Sequence, residues 1–84
     1  MNKIKEELLT APDSQLDSSM FPLIEKWDDE PTPIQILEVL DKCIFASLAS
    51  GFVIVLLEYL LDMALKREKT TLEEVVKLAT WRTE

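Results

Sequence analysis

Few residues in this chain could do chemistry. Cys43 is the single cysteine and histidine is absent, so the thiol lacks the imidazole that usually activates a nucleophilic cysteine. Lys42, one residue away, points to a different side of a helix. Cys43 therefore reads as a buried structural thiol. Glu58 and Asp62 stand four apart and share a helix face, where two carboxylates can hold a divalent cation. The helical di-iron arrangement also needs Glu-x-x-His elements, which a chain without histidine cannot supply. A solvated stripe with Asp62 paired to Lys66 at i,i+4 is the better reading.

Two further clusters combine charge with an aromatic ring. "WDDEP", residues 27–31, sets acids beside Trp27. Together with Glu25, the residues Asp28, Asp29 and Glu30 make an acidic patch that could meet a basic partner, with Trp27 either an anchor for that partner or folded onto the core. The second reading is favoured. Near the carboxy terminus Lys77, Trp81 and Arg82 could form a small cationic and aromatic surface, but a solvated helix end is the better reading. No Gly-rich phosphate loop, metal-spaced Cys/His cluster or Ser/His/Asp set can be assembled, so the sequence points away from catalysis and implies no cofactor or metal.

Sixteen acidic and nine basic residues give a net charge of −7, which repels phosphate and disfavours direct nucleic-acid binding. The imbalance is concentrated in residues 1–31, with eight acids against three bases. An acidic decoy occupying the basic groove of a nucleic-acid-binding protein is one reading of that field. One cysteine and no signal-peptide pattern in "MNKIKEELLT" make the cytoplasm the expected location.

The elements that position these residues read as helices. With 48% hydrophobic residues, one glycine and little strand-like alternation, the 84 residues are expected to form a single helical domain. Ile4, Leu8 and Leu9 mark a short amphipathic helix ending near Pro12, and residues 11–20 form a turn-rich connection. "FPLIEKW" supports one or two helical turns from Pro22. Thr32, Pro33 and Gln35 form the start of a helix with a capping box. Its polar positions Gln35, Glu38, Asp41 and Lys42 lie opposite Ile36, Leu37, Leu40, Cys43, Ile44 and Leu48. A second capping box, Thr71 with Glu74, opens a last helix whose apolar stripe is Leu72, Val75, Val76 and Ala79.

Between these lies the unusual segment. From Cys43 to Leu57 no residue is charged, and "FVIVLLEYLLDMAL" is apolar nearly all round apart from the Glu58, Asp62 and Lys66 stripe. That stripe is turned by roughly 130° from the polar face of the preceding helix, so a straight continuous helix cannot wet both. A break at "SG" with Gly51 as a C′ residue is favoured over a continuous helix. The small residues Ala46, Ser47, Ala49, Ser50 and Gly51 also offer spacings of four that permit close helix approach. Fifteen uncharged residues span about 22 Å, short of the roughly 30 Å hydrocarbon layer, so membrane association is the weaker reading.

A helix apolar on every side must be surrounded, by its own chain or by another. The expectation is an all-α, small four- or five-helix bundle with an apolar central helix over 52–65, acting as a non-enzymatic protein-interaction or assembly module. Homodimerisation is expected through this helix, by way of Phe52, Val53, Leu56 and Leu57, continued by Tyr59, Leu60 and Met63 and joined by Phe45. Phe45, Phe52 and Tyr59, about seven apart, form one seam.

Overall fold

The structure, a computed structural model, describes residues 2–10, 16–28 and 30–82, and the side chains among these from residue 5 onward. Among the described residues five α-helices follow one another: α1 Asn2–Leu9, α2 Phe21–Glu25, α3 Pro33–Ala46, α4 Gly51–Arg67 and α5 Leu72–Leu78. Short 3-10 turns at Ser18–Met20 and Thr80–Arg82 complete the set, and there is no strand among the described residues. The fold is all-α. Ile4 and most of the expected turn-rich connection, residues 11–15, fall outside the described side chains.

Both capping boxes form. Thr32 Oγ1 accepts from the Gln35 backbone N–H at 3.2 Å while Gln35 Oε1 accepts from the Thr32 N–H at 3.0 Å. Thr71 and Glu74 repeat the reciprocal pair at 3.3 and 3.0 Å. Each satisfies two backbone donors that a helix start otherwise leaves without a partner. Pro33 occupies the first turn of α3, where its missing N–H costs nothing.

The helix does break between α3 and α4, by a different device from the one expected. Ser47, at φ 55°, takes the left-handed conformation that ends α3, and the Leu48 N–H returns to the Cys43 carbonyl at 2.9 Å. Gly51 is not a C′ residue: it is the first residue of α4, and Ser50 caps that helix by accepting from the Val53 N–H at 3.3 Å. Serine's hydroxyl makes it a strong N-cap, which outweighed glycine's usual place after a helix end. The small-residue spacings of four consequently have no common helix, because Ser47 to Ser50 form the connection.

That connection is also where the amino-terminal third attaches. The Asp17 N–H donates to the Leu48 carbonyl at 2.8 Å, and Leu16 pairs with Ala49 as an isolated antiparallel bridge. One core cluster joins Leu8, Leu16, Met20, Ile24 and Trp27 of this third to Ile36, Leu37, Val39, Leu40 and Cys43 of α3. Val53, Leu57, Leu61 and Ala64 of α4, with Val75 of α5, complete it. No polar or charged residue is buried among the described residues. Trp27 is 4% exposed and belongs to this core.

α3 lies between two neighbours, packing on both α4 and α5. α4 uses one side only. Its end is closed by a Schellman motif: Lys69 is left-handed at φ 55°, the Thr70 N–H reaches the Leu65 carbonyl at 3.0 Å and the Lys69 N–H the Lys66 carbonyl at 3.3 Å. Lysine here tolerates the strained backbone in a place where positive charge meets the negative end of the helix dipole.

Candidate interaction surface

The periodicity of α4 decides which residues face outward. At about 100° per residue, Val53, Leu57, Leu61 and Ala64 fall within one arc, and all four are buried. Val53 and Leu57, expected at an interface, are therefore core residues at 1% and 0% exposure; they are spent on the chain's own packing. The opposite side carries Phe52, Val55, Tyr59 and Met63, exposed by 69%, 62%, 61% and 44%. Leu56 and Leu60 are half-buried at the edge of this stripe.

Polar residues border the stripe without covering it. Glu58 and Asp62 are exposed, and Lys66 pairs with Asp62 at 3.1 Å, the i,i+4 contact expected. Among the described residues no group of three or more Cys, Asp or Glu residues comes together where a metal ion could be held.

Among the described residues Phe45 is the most exposed large apolar side chain, at 89%, and Ile44, expected on the buried side of α3, is half exposed at 51%. Ile44 stands in the last turn of α3, which ends at Ala46. Both residues line an open recess of about 470 Å³ between α3 and the carboxy-terminal turn, together with Asp41, Lys42, Trp81 and Arg82.

Asp41 builds that recess. One of its carboxylate oxygens accepts from Trp81 Nε1 at 3.3 Å and lies 2.8 Å from Arg82 Nε. A single acid on α3 thus fastens Trp81 and Arg82, with Trp81 half-buried and Arg82 still exposed, as is Lys77. The spacing of forty residues between Asp41 and Trp81 left no local sign of this pairing in the sequence.

The acidic patch is exposed at Glu25, Asp28 and Glu30, while Asp29 lies outside the described residues. Two cations enter its neighbourhood. Lys5 Nζ donates to the carbonyls of Trp27 and Glu25 at 2.7 and 3.2 Å. Arg67 donates to the Pro31 carbonyl at 2.7 Å and its Nε stands 3.7 Å from Glu30. These contacts soften the local negative field and tie the loop between α2 and α3 to α1 and α4.

Cys43 is fully buried. Removal from water pushes its thiol up to about 11, because the charged thiolate loses hydration and finds no cation in exchange. At neutral pH it is a protonated apolar group, as expected of a packing residue.

No protein-family profile matches this chain, and neither a curated protein nor a solved structure matches it. The outward side of α4 is the feature that a functional reading must explain.

Proposed function

We propose that this protein is a non-enzymatic interaction module, one helical domain acting in the cytoplasm, which self-associates through the outward side of α4. The observation that carries this reading is the exposed run of Phe52, Val55, Tyr59 and Met63 on one helix. Four large apolar side chains in a continuous stripe differ from the scattered surface apolar residues of ordinary proteins. Nothing in the chain's own core requires them to be apolar, since α4 is anchored by the opposite side. Aromatic residues and methionine are the types enriched where proteins meet, and a stripe with carboxylates only along its border has the composition of an apolar centre with a polar rim. Among the described residues no helix is long and apolar enough to cross a membrane, which supports a protein partner over a spanning role.

The test is the thermal midpoint across a hundredfold range of protein concentration. Association that favours the folded state raises the midpoint with concentration. The midpoint of wild type should rise, with little response to salt, and that of Tyr59→Glu should stay flat with its helicity retained. A wild-type midpoint independent of concentration would remove self-association. Binding of a basic protein that weakens steeply with salt would favour the acidic-decoy reading instead.

A further inference from the structure

Resting on the self-association proposed above, we infer that two copies of α4 pack antiparallel about a two-fold axis between Leu57 and Glu58, so that Phe52 of each copy lies against Met63 of the other. The stripe is self-complementary under reversal. Phe52, Val55, Leu56, Tyr59, Leu60 and Met63 are the exposed or half-buried apolar residues along one arc of α4, about 140° wide when wound at 100° per residue. Reversing the helix about its point between residues 57 and 58 exchanges 52 with 63, 55 with 60 and 56 with 59. Every member of the set comes level with another member along the axis, with Phe52 and Met63 nearest the middle of the arc. A two-fold interface demands this property, because the same patch must serve both subunits.

Charge selects the same orientation. Lys66 lies near the stripe, one turn beyond Met63, and is strongly exposed. A parallel in-register pair would set Lys66 beside the second copy's Lys66 and align the two helix dipoles. Antiparallel pairing moves the two lysines roughly 25 Å apart along the axis. Each then lies just beyond the amino-terminal end of the other copy's α4, which starts at Gly51, and clear of the second lysine. The two Asp62 carboxylates end up about 13 Å apart along the axis, beyond the Debye length of about 8 Å at physiological salt. The Phe52–Met63 pairs place a thioether against a ring, a favoured contact.

The size of the surface sets the strength. From the exposures of the four outward residues, with Leu56 and Leu60 at the edge, the stripe offers roughly 500 Å² per copy, somewhat below the ~800 Å² per partner of a standard interface. An interface of that size fits a reversible pair rather than a permanent one.

The experiment uses the wild-type chain. Phe52 and Met63 of one α4 are about 16 Å apart along the helix, so a nuclear Overhauser contact between the Phe52 ring and the Met63 methyl can arise only between copies. A mixture of isotope-labelled and unlabelled protein, at a concentration where light scattering gives twice the 9.7 kDa chain mass, should show that contact. Doubled mass without it overturns the antiparallel pairing while leaving self-association standing. A monomer mass at millimolar concentration overturns both, whether the chain stays free or instead floats with vesicles of phosphatidylcholine and phosphatidylglycerol. As a second measurement in a Cys43→Ala background, mild oxidation should cross-link an equal mixture of Phe52→Cys and Met63→Cys chains at least fivefold more than either alone. Cross-linking of Phe52→Cys with itself at the mixture's level contradicts the proposal.

Discussion

α3 and α4 are joined by four residues and draw on the same apolar residue types, yet the chain uses them differently. α3 buries Ile36, Leu37, Leu40 and Cys43 on one side, and on the other its Asp41 holds the carboxy-terminal turn through Trp81 and Arg82. α4 buries Val53, Leu57, Leu61 and Ala64 and then presents a second apolar side for which the described part of the chain provides no cover. Hydrophobicity along a helix therefore does not measure how much of it the fold needs. For α4 the fold needs one side; the other is available for association.

The two sides of α4 should separate most sharply in substitution. Leu57→Ala is expected to cost about 3–4 kcal/mol in urea unfolding, through lost burial and the cavity left behind. Tyr59→Ser, measured in dilute protein where association is negligible, should change stability by no more than about 0.5 kcal/mol. Equal losses at both positions would erase the distinction.

Next in size is the alkaline behaviour of Cys43 on the inner side of α3. Its thiol titrates at about 11 in the folded chain against an ordinary value of 9.0. The stabilising preference for the protonated form is therefore fully present below pH 9 and is lost as pH rises through 11, because the unfolded chain ionises first. Unfolding free energy should fall by up to roughly 3 kcal/mol over that window, and Cys43→Ala should abolish this slope. The thiol should also resist alkylation at neutral pH until the chain unfolds.

On the outer side of α3, Asp41→Ala should cost on the order of 1 kcal/mol and shift Trp81 emission to the red, with Trp27 remaining buried. An unchanged spectrum would mean that the turn is held by something other than Asp41. The smallest effect belongs to Glu74, whose carboxyl is held below its ordinary value by the Thr70 hydroxyl, the Thr71 N–H and the Thr71 hydroxyl. That contribution is present above the unfolded value and disappears as pH falls through the lower folded one. Glu74→Gln should slightly flatten the acid limb of the stability profile.

Much of this architecture was legible locally. Thr32 with Gln35 and Thr71 with Glu74 announce two helix starts because a capping box lies within four consecutive residues. Lys66 with Asp62 was readable for the same reason. The break before α4 was readable as a mismatch of polar faces, but its agents were not: Ser47 adopts a conformation for which sequence favours glycine, while Gly51 enters the helix. The sides of α4 were hidden because a segment apolar all round has no polar face to orient it, so Val53 and Leu57 could not be told from Tyr59 and Met63. Only packing against the core makes that division. The Asp41 fastening spans forty residues and leaves no periodic trace.

Whether a second copy of the chain covers the outward side of α4 is decided by light scattering on size exclusion, carried to millimolar loading for wild type and for Val55→Glu. Wild type should approach twice its 9.7 kDa mass while Val55→Glu stays at the single-chain mass with unchanged helicity. A wild-type chain that keeps the single-chain mass at every loading would contradict that covering.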